Sequence, residues 1–94
     1  MPIELATRVT KSPDQISCDL DGEVAILNLK STLYFGLDKV GATVWDALSE
    51  PKTAADLCRA VLDRFDVADD RCREDVLELL TNLNKAGLIE IISP

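Results

Sequence analysis

The dipeptide Asp21-Gly22 separates two stretches that both read as β-strand, and it commits this part of the chain to an antiparallel hairpin. Asp-Gly supplies the positive φ angles with which a two-residue turn matches the right-handed twist of its flanking strands. Upstream, Ile16, Cys18 and Leu20 alternate with Gln15, Ser17 and Asp19, the period of a strand with one buried face. Downstream, Glu23-Val24-Ala25-Ile26-Leu27-Asn28-Leu29 is apolar on both faces, as a central strand is. Lys30-Ser31-Thr32 forms a polar turn and Leu33-Tyr34-Phe35-Gly36-Leu37 a third short strand. The expectation is a three-stranded antiparallel meander. Residues 1–14 show no period, and Pro2 and Pro13 discourage regular structure. They read as an N-terminal arm with a short extended piece at Arg8-Val9-Thr10.

The remainder has helical spacing. Asp38 is a good N-cap for a helix carrying Val40, Val44, Trp45 and Leu48 on one face, which stops at Glu50-Pro51. Thr53 caps a second helix with Ala54, Leu57, Cys58, Val61, Leu62 and Phe65 at apolar positions, and Asp56 completes a variant capping box. After Asp66-Val67-Ala68, a third helix starts at Asp69 or Asp70 and runs to about Lys85, with Val76, Leu77, Leu79, Leu80 and Leu83 as its apolar residues. Gly87 ends it in the left-handed conformation, and Leu88-Ile89-Glu90-Ile91-Ile92 is a final extended piece. The fold class is therefore α+β, winged helix-turn-helix-like: a three-stranded antiparallel sheet followed by three helices. Residues 15–94 form a single domain behind the arm of residues 1–14. A chain of 94 residues buries a small core and leaves little room for a deep cavity.

Catalysis finds few candidates. The sequence has no histidine, so the commonest general base and metal ligand are missing, and no serine triad can be assembled. Cys18, Cys58 and Cys72 are too far apart for a zinc or redox motif and read as reduced, small buried hydrophobes. The acids Asp19, Asp21, Asp69, Asp70, Glu74 and Asp75 fall at turns and helix starts, where they stay solvated. Gly36 and Gly41 lack the Lys-Ser/Thr of a phosphate loop; Gly36 reads as a bulge or as a place where another backbone comes close. No catalytic residue, metal or cofactor is expected.

Charge narrows the partners. The net charge of −7 opposes binding to nucleic acid or to an anionic membrane surface. The third helix, which would be the DNA reader of a winged helix, holds Asp69, Asp70, Glu74, Asp75 and Glu78 against Arg71, Arg73 and Lys85. No apolar run is long enough to span a membrane, and Met1-Pro2-Ile3-Glu4-Leu5 does not read as a secretion signal, so the expected location is the cytoplasm. What remains is an edge strand. Leu33-Tyr34-Phe35-Gly36-Leu37 has no Lys or Pro to discourage pairing. It either accepts an extended peptide by strand addition or is covered by the arm.

The stretch from Leu33 to Leu48 contains Tyr34-Phe35-Gly36-Leu37-Asp38, Val40-Gly41-Ala42 and Val44-Trp45 with Leu48. It resembles the PqqD-like family, the recognition elements that bind precursors of ribosomally made, modified peptides. The variant is most like the stand-alone leader-binding proteins of lasso peptide clusters. The resemblance spans roughly residues 14–92, including Thr53-Ala54-Ala55-Asp56-Leu57 and the ending Lys85-Ala86-Gly87-Leu88-Ile89. It implies that a leader peptide adds as an antiparallel strand beside the third strand, in a groove against the third helix. The implied leader-binding residues are Ser31, Thr32, Leu33, Tyr34, Phe35, Gly36 and Leu37 on the edge. Asp69, Cys72, Arg73, Val76, Leu79 and Leu80 are the implied facing wall. Arg71 or Arg73 would then meet acids of the leader, and Asp75 a lysine. Periodicity leaves open which flank of the third helix lines the groove and which packs into the core. The implied partners are the precursor leader, a cysteine-protease leader peptidase and a cyclase. The alternatives are a peptide chaperone for a radical enzyme in quinone cofactor biosynthesis and, against the charge, a winged-helix DNA-binding regulator.

Overall fold

Four strands precede the first helix in the computed structural model, which describes residues 3–93. The elements are β1 (Arg8–Lys11), β2 (Gln15–Leu20), β3 (Glu23–Asn28), β4 (Tyr34–Leu37), α1 (Lys39–Ala47), β5 (Lys52–Thr53), α2 (Ala54–Leu62), α3 (Asp69–Lys85) and β6 (Ile89–Ser93). β2, β3 and β4 form the meander in that spatial order, and a second sheet has the order β5-β1-β6. The fold is α+β, with a three-stranded antiparallel sheet leading into three helices.

Local chemistry explains the turns and caps. Asp21 (φ 57°) and Gly22 (φ 88°) make the β2–β3 turn with both central residues at positive φ. The β3–β4 loop is organised by Asn28, whose carbonyl accepts Thr32 N–H at 2.7 Å and whose side-chain oxygen accepts Lys30 N–H at 2.9 Å. Its Nδ2 donates to the carbonyl of Ala86 at 2.7 Å, fastening the loop to the end of α3. Thr53 and Asp56 form a reciprocal capping box at α2, with hydrogen bonds of 3.1 and 3.2 Å. These bonds hold the Asp56 carboxyl below its usual range. Gly87 (φ 75°) follows α3 as its left-handed residue.

The core lies between the inner face of the meander and the helices. Val24, Ile26 and Leu37 face Val44, Trp45 and Leu48 of the α1 segment, with Leu57, Val61, Val76, Leu80 and Leu83 beneath.

Three expectations need correction. The segment read as an arm is built into the fold. β1 pairs with β6 from Val9↔Ile91 to Lys11↔Ile89, and with β5 at Arg8↔Thr53. The carbonyls of Leu5 and Thr7 accept Ala55 and Ala54 N–H at 3.0 and 3.1 Å, satisfying donors that α2 leaves free at its start. Ile3 and Val9 are buried, and Lys11 sits 4.6 Å above the Trp45 ring. A boundary at residues 14/15 therefore does not separate an arm from the rest. Second, the alternation of β2 points outward: Ile16 is 58% and Leu20 55% exposed. Register explains it, because Ser17 and Asp19 pair with Ile26 and Val24, and it is those two β3 residues that face the core. Third, Cys18 is exposed on the same outer face, whereas Cys58 and Cys72 are buried.

Two outcomes follow. Val9→Ala should cost about 2 kcal/mol, a fall of roughly 10 °C in melting temperature, because it empties a fully buried site. A loose arm would give no change. Burial also pushes the Cys58 thiol up to about 11 and raises that of Cys72. At pH 8 Ellman's reagent should therefore titrate Cys18 alone in the native protein and all three thiols in urea.

Candidate functional site

β4 pairs with β3 on one side and, among the described residues, with nothing on the other. The register is Val24↔Leu37, Ala25↔Gly36, Ile26↔Phe35 and Leu27↔Tyr34. Asn28 N–H donates to the Leu33 carbonyl at 3.0 Å, which fixes the parity of the ladder. In an antiparallel pair the hydrogen-bonded residues alternate, so Phe35 and Leu37 turn their backbone groups toward β3. Tyr34 and Gly36 turn theirs outward. The open edge thus presents two N–H groups and two carbonyls to an incoming strand. Among the described residues no element covers it, and β1 is engaged in the other sheet. Leu33 and Tyr34, 70% and 76% exposed, stand at its beginning.

Beside this edge runs a groove of about 460 Å³ lined by Phe35, Gly36, Leu37, Asp38, Val40, Gly41, Asp75 and Leu79. β4 makes one wall, the start of α1 closes one end, and Asp75 and Leu79, one helical turn apart, are the α3 wall. Its floor is apolar through Phe35, Val40 and Leu79, and Asp38 and Asp75 make its rim acidic. Arg71 Nε lies 3.4 Å from Asp75 Oδ2 on the exposed helix surface, an ion pair that solvent weakens. Asp38 is held by its own helix, since its carboxylate accepts Gly41 N–H at 2.8 Å.

The implied site residues divide accordingly. Phe35, Gly36, Leu37 and Leu79 line the groove. Leu33 and Tyr34 are exposed at the edge, and Ser31 and Thr32 lie in the loop before it, Thr32 at φ 60°. Val76 and Leu80 do not reach the groove; they are 2% and 0% exposed in the core. Cys72 is buried as well, its Sγ donating to the Cys58 carbonyl at 3.6 Å. Asp69 and Arg73 lie on the opposite flank of α3, around a separate depression with Leu5, Cys58, Arg59 and Leu62. The groove side of α3 is Asp75 and Leu79, of which Leu79 stands among the wall residues and Asp75 as the expected partner of a leader lysine; Arg71 lies one turn further along the same line, paired with Asp75. Asp38, Val40 and Gly41 were read as a helix start and its apolar face, not as part of a site. An Arg-Asp-Leu series at i, i+4 and i+8 beside a solid apolar stripe is the signal that separates this flank from the core.

Leu80→Ala should accordingly cost about 3 kcal/mol in urea unfolding, and the half-buried Leu79→Ala only about 1. Equal losses would reverse this assignment of the α3 faces.

Comparison with known proteins places these features in context. A family model described as coenzyme PQQ synthesis protein D (PqqD) matches residues 23–89. No curated protein matches the chain. Among solved structures, TbiB1 in complex with the TbiA(beta) leader peptide superposes with a TM-score of 0.81 at 29% identity, over 90% of this chain and 99% of that one. A lasso peptide synthetase B1 complexed with the leader peptide shares the fold, with a TM-score of 0.75 at 20% identity, over 87% and 96% of the two chains.

Proposed function

The chain belongs to the PqqD family, and from that membership and the open edge of β4 we propose that it is a recognition subunit that binds the leader segment of a ribosomally made precursor peptide. The leader adds as a strand to β4 and is delivered to a leader peptidase and a cyclase of lasso peptide biosynthesis, in the cytoplasm. The observation that carries this reading is the unpaired ladder of β4 beside an apolar groove. Its support from outside is TbiB1, a structural relative at 29% identity that is itself complexed with a leader peptide. The role is one of binding and presentation, not catalysis. Among the described residues no helix is long and apolar enough to cross a membrane, and no group of three metal-binding side chains occurs.

In this reading the peptide is recognised through its backbone and its inward-facing side chains. A strand of about six residues spans roughly 20 Å. Its backbone bonds Tyr34 and Gly36, and its residues opposite Phe35 and Leu37 turn into the groove. Ordering a free peptide costs about 2–5 kcal/mol. Hydrogen bonds exchanged with water contribute only about 1 kcal/mol each, so at least one apolar side chain must fill the groove over Val40 and Leu79. A basic leader residue matches the acidic rim of Asp38 and Asp75. A dissociation constant below 1 μM, about −8 to −10 kcal/mol, is within reach of such an arrangement.

The family model's description favours a second reading, a peptide chaperone for a radical enzyme in quinone cofactor biosynthesis, through the same edge. The enzyme retained by the peptide-loaded protein separates the two: a cysteine protease in one case, an iron–sulfur radical enzyme in the other.

The test is fluorescence polarisation with the labelled leader of the precursor encoded beside this gene. Saturable binding is expected, lost with a scrambled leader and weakened at least tenfold by Leu79→Asp while the cooperative melting transition persists. No saturation at tens of micromolar would remove the lasso reading for that peptide.

A further inference from the structure

Gly36 is a glycine for which the fold has no use. Its φ is not in the left-handed region, since Gly22 and Gly87 are the described glycines at positive φ. Its pairing with Ala25 lies in an unbroken register, so it marks no bulge. A Cβ built on it would meet nothing within 4 Å. An alanine would fit and, by restricting the unfolded chain, would stabilise β4. A residue that weakens its own strand without steric reason belongs where something else approaches closely.

Its position says what approaches. Gly36 is one of the two residues whose backbone faces the open edge; that backbone borders the groove, while its side-chain position, like that of its partner Ala25, is on the outer face of the meander. A peptide residue paired directly with Gly36 turns its side chain to that same outer face. There a hollow of about 320 Å³ spreads from Gly36 onto Ala25, bounded by Leu20 and Glu23. Leu20 is 55% exposed, so apolar surface on its far side is still to be covered.

We infer that Gly36 is a specificity-determining position for the bound peptide: its missing side chain admits a large apolar residue of the leader, which lies across Gly36 onto Ala25 and Leu20. This rests on strand addition at β4, and it adds a second contact on the sheet face opposite the groove. The leader is then read on both faces, by the groove through residues opposite Phe35 and Leu37, and by the hollow through the residue opposite Gly36.

A size-compensation experiment tests this. Gly36→Ala and Gly36→Val are made in the full chain, their melting temperatures are measured, and each is titrated with the adjacent-gene leader and with a set in which every position in turn is glycine. Both variants should melt at or above the parent. Gly36→Val should bind the unmodified leader at least tenfold more weakly, with Gly36→Ala between. One leader position should stand out: its change to glycine weakens binding to the parent and restores Gly36→Val to within about threefold of it. A fall in melting temperature for Gly36→Ala would overturn the inference by giving the glycine a structural role. Unchanged affinity of Gly36→Val, or loss of affinity that no leader position compensates, would overturn it while leaving strand addition intact. Failure of the parent to bind any leader would remove both.

Discussion

Asp38 ends a strand and begins a helix in one residue, and the geometry of the whole edge hangs on that corner. Its carboxylate accepts Gly41 N–H at 2.8 Å and its carbonyl accepts Ala42 N–H at 2.7 Å. Leu37, just before it, is buried, and a Cβ on Gly41 would lie 3.2 Å from the Leu37 side chain. The chain therefore turns tightly enough that α1 packs across the inner face of β3 and β4 instead of lying alongside β4. Were the corner looser, the helix could settle over the strand's free side and cover its ladder. As built, β4 is held to β3 through the backbone of Phe35 and Leu37, and among the described residues the backbone of Tyr34 and Gly36 has no strand partner.

The sheet around that corner is asymmetric in a way that suits binding. Its inner face supplies Val24, Ile26 and Leu37 to the core, and its outer face carries Ile16, Leu20 and Tyr34 in contact with water. Small proteins must balance such exposed apolar surface against aggregation, and an excess of seven acids over bases keeps copies of this chain apart. The same acidity gives the groove its sign through Asp38 and Asp75. The inner face thus serves twice, supplying Val24, Ile26 and Leu37 to the core and Phe35 to the groove.

What could be read from the sequence follows the range of the interactions involved. The Asp21-Gly22 turn, the Asp38 cap and the Thr53/Asp56 box each depend on residues within four positions of one another, and each stands in the structure as read. β1 was missed as sheet because Val9 pairs with Ile91, a partner at the other end of the chain that no local period announces. Ile16, Cys18 and Leu20 have the right period and the opposite direction, because alternation specifies two faces and register alone chooses between them. In α3 the apolar residues Val76, Leu77, Leu79, Leu80 and Leu83 wrap too much of the helix for periodicity to single out one face. Leu80 entered the core and Leu79 the groove, one residue and about 100° of rotation apart.

The pairing of β1 with β6 has a consequence for how this protein can be joined to others. Arg8 stands opposite Ser93 in the ladder, so the strand that opens the fold and the strand that closes it share a border, on a different sheet from the free edge of β4. Ahead of Arg8 the chain is still part of the fold, with Ile3 buried and the Leu5 and Thr7 carbonyls bonded to the start of α2, so a polypeptide joined on that side has to leave residues 3–7 in place.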